Sequence, residues 1–272
     1  MKAPIQWESV AANDGVTKAA GLVEANGLVE AAGYTRKTLL PLEIEGVTVS
    51  YTAVGPGNNH GGEPVSGQSR VMIFIRGSGT VDAARHRFSI GELALLCPPL
   101  NAAYTVQADG SGLGYLEILM ELAPEEQLRR DEINRRLPYF LSYSGCELYR
   151  EGIKSEKTIN RTLLPVSVLP RVTIGSVQTA GPDQVGAHRH PMLEQLFYGL
   201  AGNHCLVTAD ETEAPFEEDV LLHIPLGSNH GVRVEKGSAL HYLWMDFFHS
   251  EQDMSYISDT HVSVEGKEPE ST

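Results

Sequence analysis

Two short segments hold the residue types that can bind a metal and work on a small molecule. The first, residues 181 to 202, reads GPDQVGAHRHPMLEQLFYGLAG and places His188 and His190 two apart, with Glu194 four further on. Alternate residues of a strand share a face, so His188 and His190 point one way and Arg189 the other. Glu194 follows the Pro191 bend with the same parity as the two histidines. The second segment, residues 219 to 230, reads DVLLHIPLGSNH, in which a Pro-x-Gly turn carries His230 off the end of a strand. If the two strands are neighbours, three imidazoles and a carboxylate converge. Such a set suits one divalent transition ion (Mn, Fe, Co, Ni, Cu or Zn) with positions left for water or substrate. His223, on the strand before Pro225, and Tyr198, at the parity of Glu194, are the nearest candidates for catalytic residues lining the same cavity. His204, His241, Trp244 and Asp246 read as packing or surface residues.

The elements that must position these side chains are short β-rich runs punctuated by Gly, Pro, Asn and Asp, which predicts an all-β sandwich or barrel. The exception is Pro124 to Leu137, PEEQLRRDEINRRL, with proline first, acids in the first turn, arginines in the last, and an apolar stripe of Leu128, Ile133 and Leu137. It predicts a connecting helix. On either side of it the chain repeats itself. Residues 73–79 (IFIRGSG) align with 196–202 (LFYGLAG) at an offset of 123; residues 91–98 align with 218–225, and 115–118 with 242–245, both at 127. One β unit used twice is the simplest reading.

The two histidine segments closely resemble the two signature motifs of the cupin superfamily. The first motif runs Gly, five residues, His-x-His, three or four residues, Glu, six residues, Gly; the second runs Gly, five residues, Pro-x-Gly, two residues, His, three residues, Asn. Gly181 lies one residue too far upstream and Gly202 one too far downstream, Asp219 replaces the leading Gly of the second motif, and Val234 replaces its Asn. The resemblance implies two jelly-roll (double-stranded β-helix) barrels in one chain, a bicupin, with metal ligands His188, His190, Glu194 and His230 in the second barrel alone. Carried back by the offset, the ligand positions fall on Val65, Gly67, Val71 and either Ala103 or Tyr104, which form no histidine set. The expected organisation is an arm over 1–45, a metal-free barrel over 46–122, a helical connector over 123–160, a metal-binding barrel over 161–250 and a polar tail over 251–272. The fold hosts many reactions. The chemistry expected here is Lewis-acid catalysis on a small polar organic acid or sugar-derived compound (lyase, isomerase, decarboxylase or hydrolase type); the alternatives are a metal-dependent dioxygenase and a non-catalytic small-molecule-binding bicupin.

Composition narrows the partners. The 272 residues contain 35 acidic and 21 basic side chains, a formal charge of −14, and 42% are hydrophobic. That apolar fraction suffices for real cores, and the negative charge argues against nucleic acid or an anionic membrane as partner. Cys97, Cys146 and Cys205 are three, widely spaced and without a Cys-x-x-Cys pair, so neither a disulfide framework nor a thiolate zinc site is expected. Met1 to Thr17 shows no basic start before an apolar run, and the chain reads as a soluble cytoplasmic protein with a small-molecule substrate, able to form homo-oligomers. Eight of the ten histidines fall within residues 188–261. Imidazole chemistry, if present, belongs to the C-terminal half.

Overall fold

The computed structural model describes residues 5–10, 23–25 and 28–264. The remainder of the expected N-terminal arm and residues 265–272 of the expected tail lie outside the described residues. The fold is all-β, with short helical pieces between and after the strands. Among the described residues no helix is long and apolar enough to cross a membrane.

The chain divides into two compact units, 10–145 and 146–272, the latter joined by residues 1–9. The boundary at Gly145 lies inside the segment expected as a connector. The single helix predicted over 124–137 is instead two short ones, Pro124–Leu128 and Arg130–Asn134, broken at Arg129. Glu126 is buried and its carboxylate accepts a hydrogen bond from the Ala123 amide (2.7 Å), closing the first turn. Of the proposed stripe, Ile133 is buried while Leu128 is 88% exposed, so no continuous apolar face exists to carry a longer helix.

The N-terminal unit is a ten-stranded antiparallel sheet folded around two long strands, Gln68–Ala83 and Tyr104–Glu121, which pair along most of their length. Their inner residues, among them Met72, Phe74, Val81, Val106, Leu113 and Tyr115, form its core.

In the C-terminal unit two sheets face each other. The larger runs Gln6–Ser9, Val220–Ile224, Leu193–Gly199, Ala239–Phe248, Val172–Ala180, Ile159–Leu164, Glu147–Arg150 and Val262–Ser263; the smaller runs Asp183–His188, His230–Val234, His204–Ala209 and Thr212–Glu217. Part of the expected arm is thus an edge strand of this unit, with Gln6 opposite His223 and Ser9 opposite Val220. Alternation does the rest. Leu240, Tyr242 and Trp244 project from one sheet and Cys205, Val207, Phe216, Val232 and Val234 from the other into one core, where each large side chain removed from water contributes about 1.5–3 kcal/mol. Gly175 is required there, because a Cβ would lie 2.2 Å from the Trp244 ring. Residues 251–264, expected as part of a polar tail, carry a 3₁₀ turn, the helix Ser255–Thr260 and the strand Val262–Ser263. Met254 and Ile257 anchor this segment against Leu193 and Phe248.

Candidate metal centre

His188 ends one strand and His230 begins its antiparallel neighbour, and the two are direct register partners. His190 follows two residues later, its carbonyl accepting a hydrogen bond from Gly227 (3.2 Å), so the Pro225–Gly227 turn ties the two motif segments together. The three rings meet: centroids are 4.3 Å apart for His188 and His230, 4.7 Å for His188 and His190, and 5.2 Å for His190 and His230. One nitrogen from each lies within 4.8 Å of the others.

Backbone carbonyls fix two of the tautomers. His188 Nδ1 lies 2.8 Å from the Gly186 carbonyl and His230 Nδ1 lies 3.1 Å from that of Ser228; each N–H donates there and leaves Nε2 with its lone pair. His230 Nε2 and His190 Nδ1 are buried without a hydrogen-bond partner. Burial lowers all three imidazole pKa values, that of His190 to about 3 and that of His230 to about 4. Neutral, convergent imidazoles with unpartnered nitrogens are what a divalent transition ion requires.

Glu194 is not part of this group. The chain passes from the smaller to the larger sheet between His190 and Leu193, so the parity counted across the Pro191 bend does not carry over. Gln195 and Phe197 face the pocket, whereas Glu194 faces the opposite side of the strand, with Oε2 3.0 Å from His223 Nε2. His223 therefore partners Glu194 rather than bordering the pocket. Tyr198 is likewise on that other face, its hydroxyl donating to Asp219 Oδ1 (2.7 Å). Asp219 has φ +60, the left-handed backbone that the leading Gly of the second motif suits, and a short polar side chain tolerates it. The spacing held a signal for Gln195: counted from it, Gly202 lies at the motif's six-residue distance.

The pocket around the histidines encloses about 420 Å³, its open mouth included. Sequence reading passed over most of its polar lining. From the expected connector come Tyr149, Glu151 and Lys154; from the closing strand, Asp246; from the expected tail, Tyr256 and His261. Lys154 Nζ lies 2.7 Å from Glu151 Oε2 and donates to the Tyr149 hydroxyl (3.3 Å). Burial pushes the Glu151 carboxyl upward, but the Lys154 ammonium together with His261 and His188 offsets it and the net shift is down. His261 stacks on Tyr149 at 4.0 Å and Tyr256 meets His190 edge-on at 5.2 Å. Gln195 Nε2 donates to Asp246 Oδ1 (2.7 Å), and Gln195 Oε1 is buried without a partner.

The N-terminal unit has the same slots, filled differently. His188 pairs with His230, which also pairs with Ala209; at the matching places Gly62 pairs with Tyr104, which also pairs with Ala83. The fixed-offset alignment placed the first of these at Val65, three residues late. It also misplaced the closing strand: Tyr115 lies opposite Phe74 as Trp244 lies opposite Phe197, so Tyr115 matches Trp244 and not Tyr242.

No family model matches this chain, and no curated protein matches it. Solved structures do match. It is similar to a putative glyoxylate induced protein from Pseudomonas aeruginosa (TM-score 0.66, 10% identity, 82% of this chain and 83% of that one). It is also similar to a single-substitution variant of the oxalate decarboxylase of B. subtilis (0.64, 14% identity, 92% and 78%). A third match is a cupin 2 conserved barrel domain protein from Leptotrichia buccalis (0.52, 14% identity, 79% and 88%). At such identities the likeness is one of fold, and the fold is the cupin jelly roll.

Proposed function

We propose that this is a metal-dependent enzyme acting on a small polar organic acid or sugar-derived compound at the C-terminal pocket. The observation that carries it is the convergence of His188, His190 and His230, neutral through burial, with His190 Nδ1 and His230 Nε2 left unpartnered. These three residues would hold the ion, and Gln195 takes the motif position expected of Glu194. A divalent ion bound there supplies a Lewis acid that stabilises negative charge on a substrate oxygen.

With no carboxylate among the ligands, and with Lys154 balanced by Glu151, the loaded pocket keeps an excess of positive charge. An anionic substrate is favoured locally although the chain as a whole carries −14. Gln195 Oε1 offers an acceptor, so a substrate bearing a hydroxyl beside its acid group satisfies it. The proteins with similar folds include one named as an oxalate decarboxylase, which supports an acid as substrate class and decarboxylation as the first chemistry to test.

The test is metal analysis of the purified full chain, zinc titration by calorimetry, and an assay of the loaded protein against a panel of small hydroxy and keto acids with oxygen uptake recorded. One transition ion per chain and turnover without oxygen consumption is the expected result. Absence of metal binding, or a His188→Ala protein that binds zinc as the native one does, overturns the reading.

A further inference from the structure

Each unit buries one acid on its closing strand at the same register. Glu117 lies opposite Met72, and Asp246 opposite Gln195, each two residues beyond the matched aromatic. Their surroundings differ sharply. Glu117 is held by Arg36 (2.6 Å) and Arg70 (2.9 Å), with the Tyr104 hydroxyl donating to it at 2.9 Å. Asp246 is 3% exposed and receives one side-chain hydrogen bond, from Gln195, while no cation among the described residues comes within ion-pair distance. A buried carboxyl with no counter-charge is costly to ionise and holds its proton to higher pH than an exposed one. The hydrogen bond it accepts from Gln195 could be met as well by a neutral amide, and Asp246 borders the histidine pocket.

We propose that Asp246 is the proton donor of the C-terminal pocket, delivering its carboxyl proton to a substrate anchored at the three histidines. The proposal rests on the metal-dependent reading above. When the bond from the carbon beside the anchored acid group to a second carboxylate breaks, carbon dioxide leaves, the electron pair stays on that carbon, and the Asp246 proton forms the new C–H bond. The aspartate is left as a carboxylate that Gln195 Nε2–H stabilises, and water returns the proton before the next cycle. No oxidant or reductant is consumed.

The titratable groups that act on this carboxyl are Glu151 and Lys154 from the preceding segment; Tyr149, Tyr242 and Tyr256 feel its charge in turn. Burial, reinforced by Glu151 and opposed by Gln195 and Lys154, raises it to about 7, where a donor is half-protonated at neutral pH.

Asp246→Asn separates a proton donor from a structural hydrogen-bonding residue. In the zinc-free full chain the variant should melt several degrees above the native protein at pH 8, by removing a buried charge, with the gap shrinking at pH 5. Its zinc stoichiometry should stay native. On an acid from the panel that the native protein turns over, kcat should fall about 100-fold or more with KM within about threefold, and Asp246→Glu should recover part of the loss. A variant that melts below the native protein at pH 8, or that keeps native kcat, overturns the proposal. Failure of the native protein to bind zinc or to turn over any acid overturns the metal-dependent reading, and this inference with it.

Discussion

The two units solve the same internal problem in opposite ways. Both have a paired position at the mouth of two strands and a buried acid further along. In the N-terminal unit Gly62 and Tyr104 occupy the paired position, and Gly62 is obligatory, because a Cβ would lie 2.1 Å from the Tyr104 ring. Arg70 lies over that ring at 4.8 Å, and both arginines close on Glu117. Every charge there has a partner within the chain. In the C-terminal unit the same places hold His188, His230 and Asp246; His230 Nε2 and the neighbouring His190 Nδ1 have no hydrogen-bond partner, and the Asp246 carboxyl has Gln195 beside it but no cation. Buried polar groups are normally satisfied, so a cluster that is not marks the place where the chain expects something from outside. The contrast is informative because scaffold and register are shared.

Acidification should separate the units most strongly. His190 and His230 titrate near 6.5 when unfolded but are held down to about 3 and about 4 in the fold. Between pH 6.5 and 4 the unfolded chain binds protons that the folded chain refuses, so stability falls with pH, on the order of 1.4 kcal/mol per pH unit for each group. Asp246, raised instead of lowered, works in the opposite sense and offsets one of them. Urea unfolding of the zinc-free chain across this range, with hydrogen exchange read peptide by peptide, should show the loss centred on residues 188–261; uniform loss across both units would break the comparison.

Breaking the internal ion pair of the other unit comes next. Arg70→Met strips Glu117 of one cation and should cost about 3 kcal/mol in urea unfolding while leaving zinc content unchanged. The reverse pattern is expected of His188→Ala. It should weaken zinc binding by more than the roughly 10–100-fold that loss of a supporting group costs, as measured by competition with a chelator, with a smaller effect on stability. The mildest change is Glu194→Gln. It weakens one hydrogen bond to His223, so a cost of about 1 kcal/mol with native zinc affinity is expected; a large loss of zinc would return Glu194 to the ligand set.

Much of this was legible in order along the chain. Periodicity and turn residues showed an all-β protein with two related halves, because strand alternation and Gly or Pro turns are local properties. His188 and His190 were legible for the same reason: one strand, two residues apart. His230 needed the assumption that its strand neighbours theirs, which the antiparallel pairing provides. Glu194 failed at a bend, since a parity count holds only while the chain stays in one sheet. The break at Arg129 and the exposed Leu128 were likewise hidden, because a weak stripe does not say whether a partner surface exists for it.

What the sequence determined by itself was the class of fold, the repeat and three imidazoles able to share an ion; these follow from neighbours along the chain. The tertiary structure alone decided the rest of the pocket. Lys154 and Glu151 reach it from what looked like a connector, Tyr256 and His261 from what looked like a tail, and Asp246 from a strand position that read as packing. Whether a carboxyl is a clamped structural acid like Glu117 or a proton carrier like Asp246 depends on which cations the fold brings beside it. That is a property of contacts between residues far apart in sequence, and no local pattern records it.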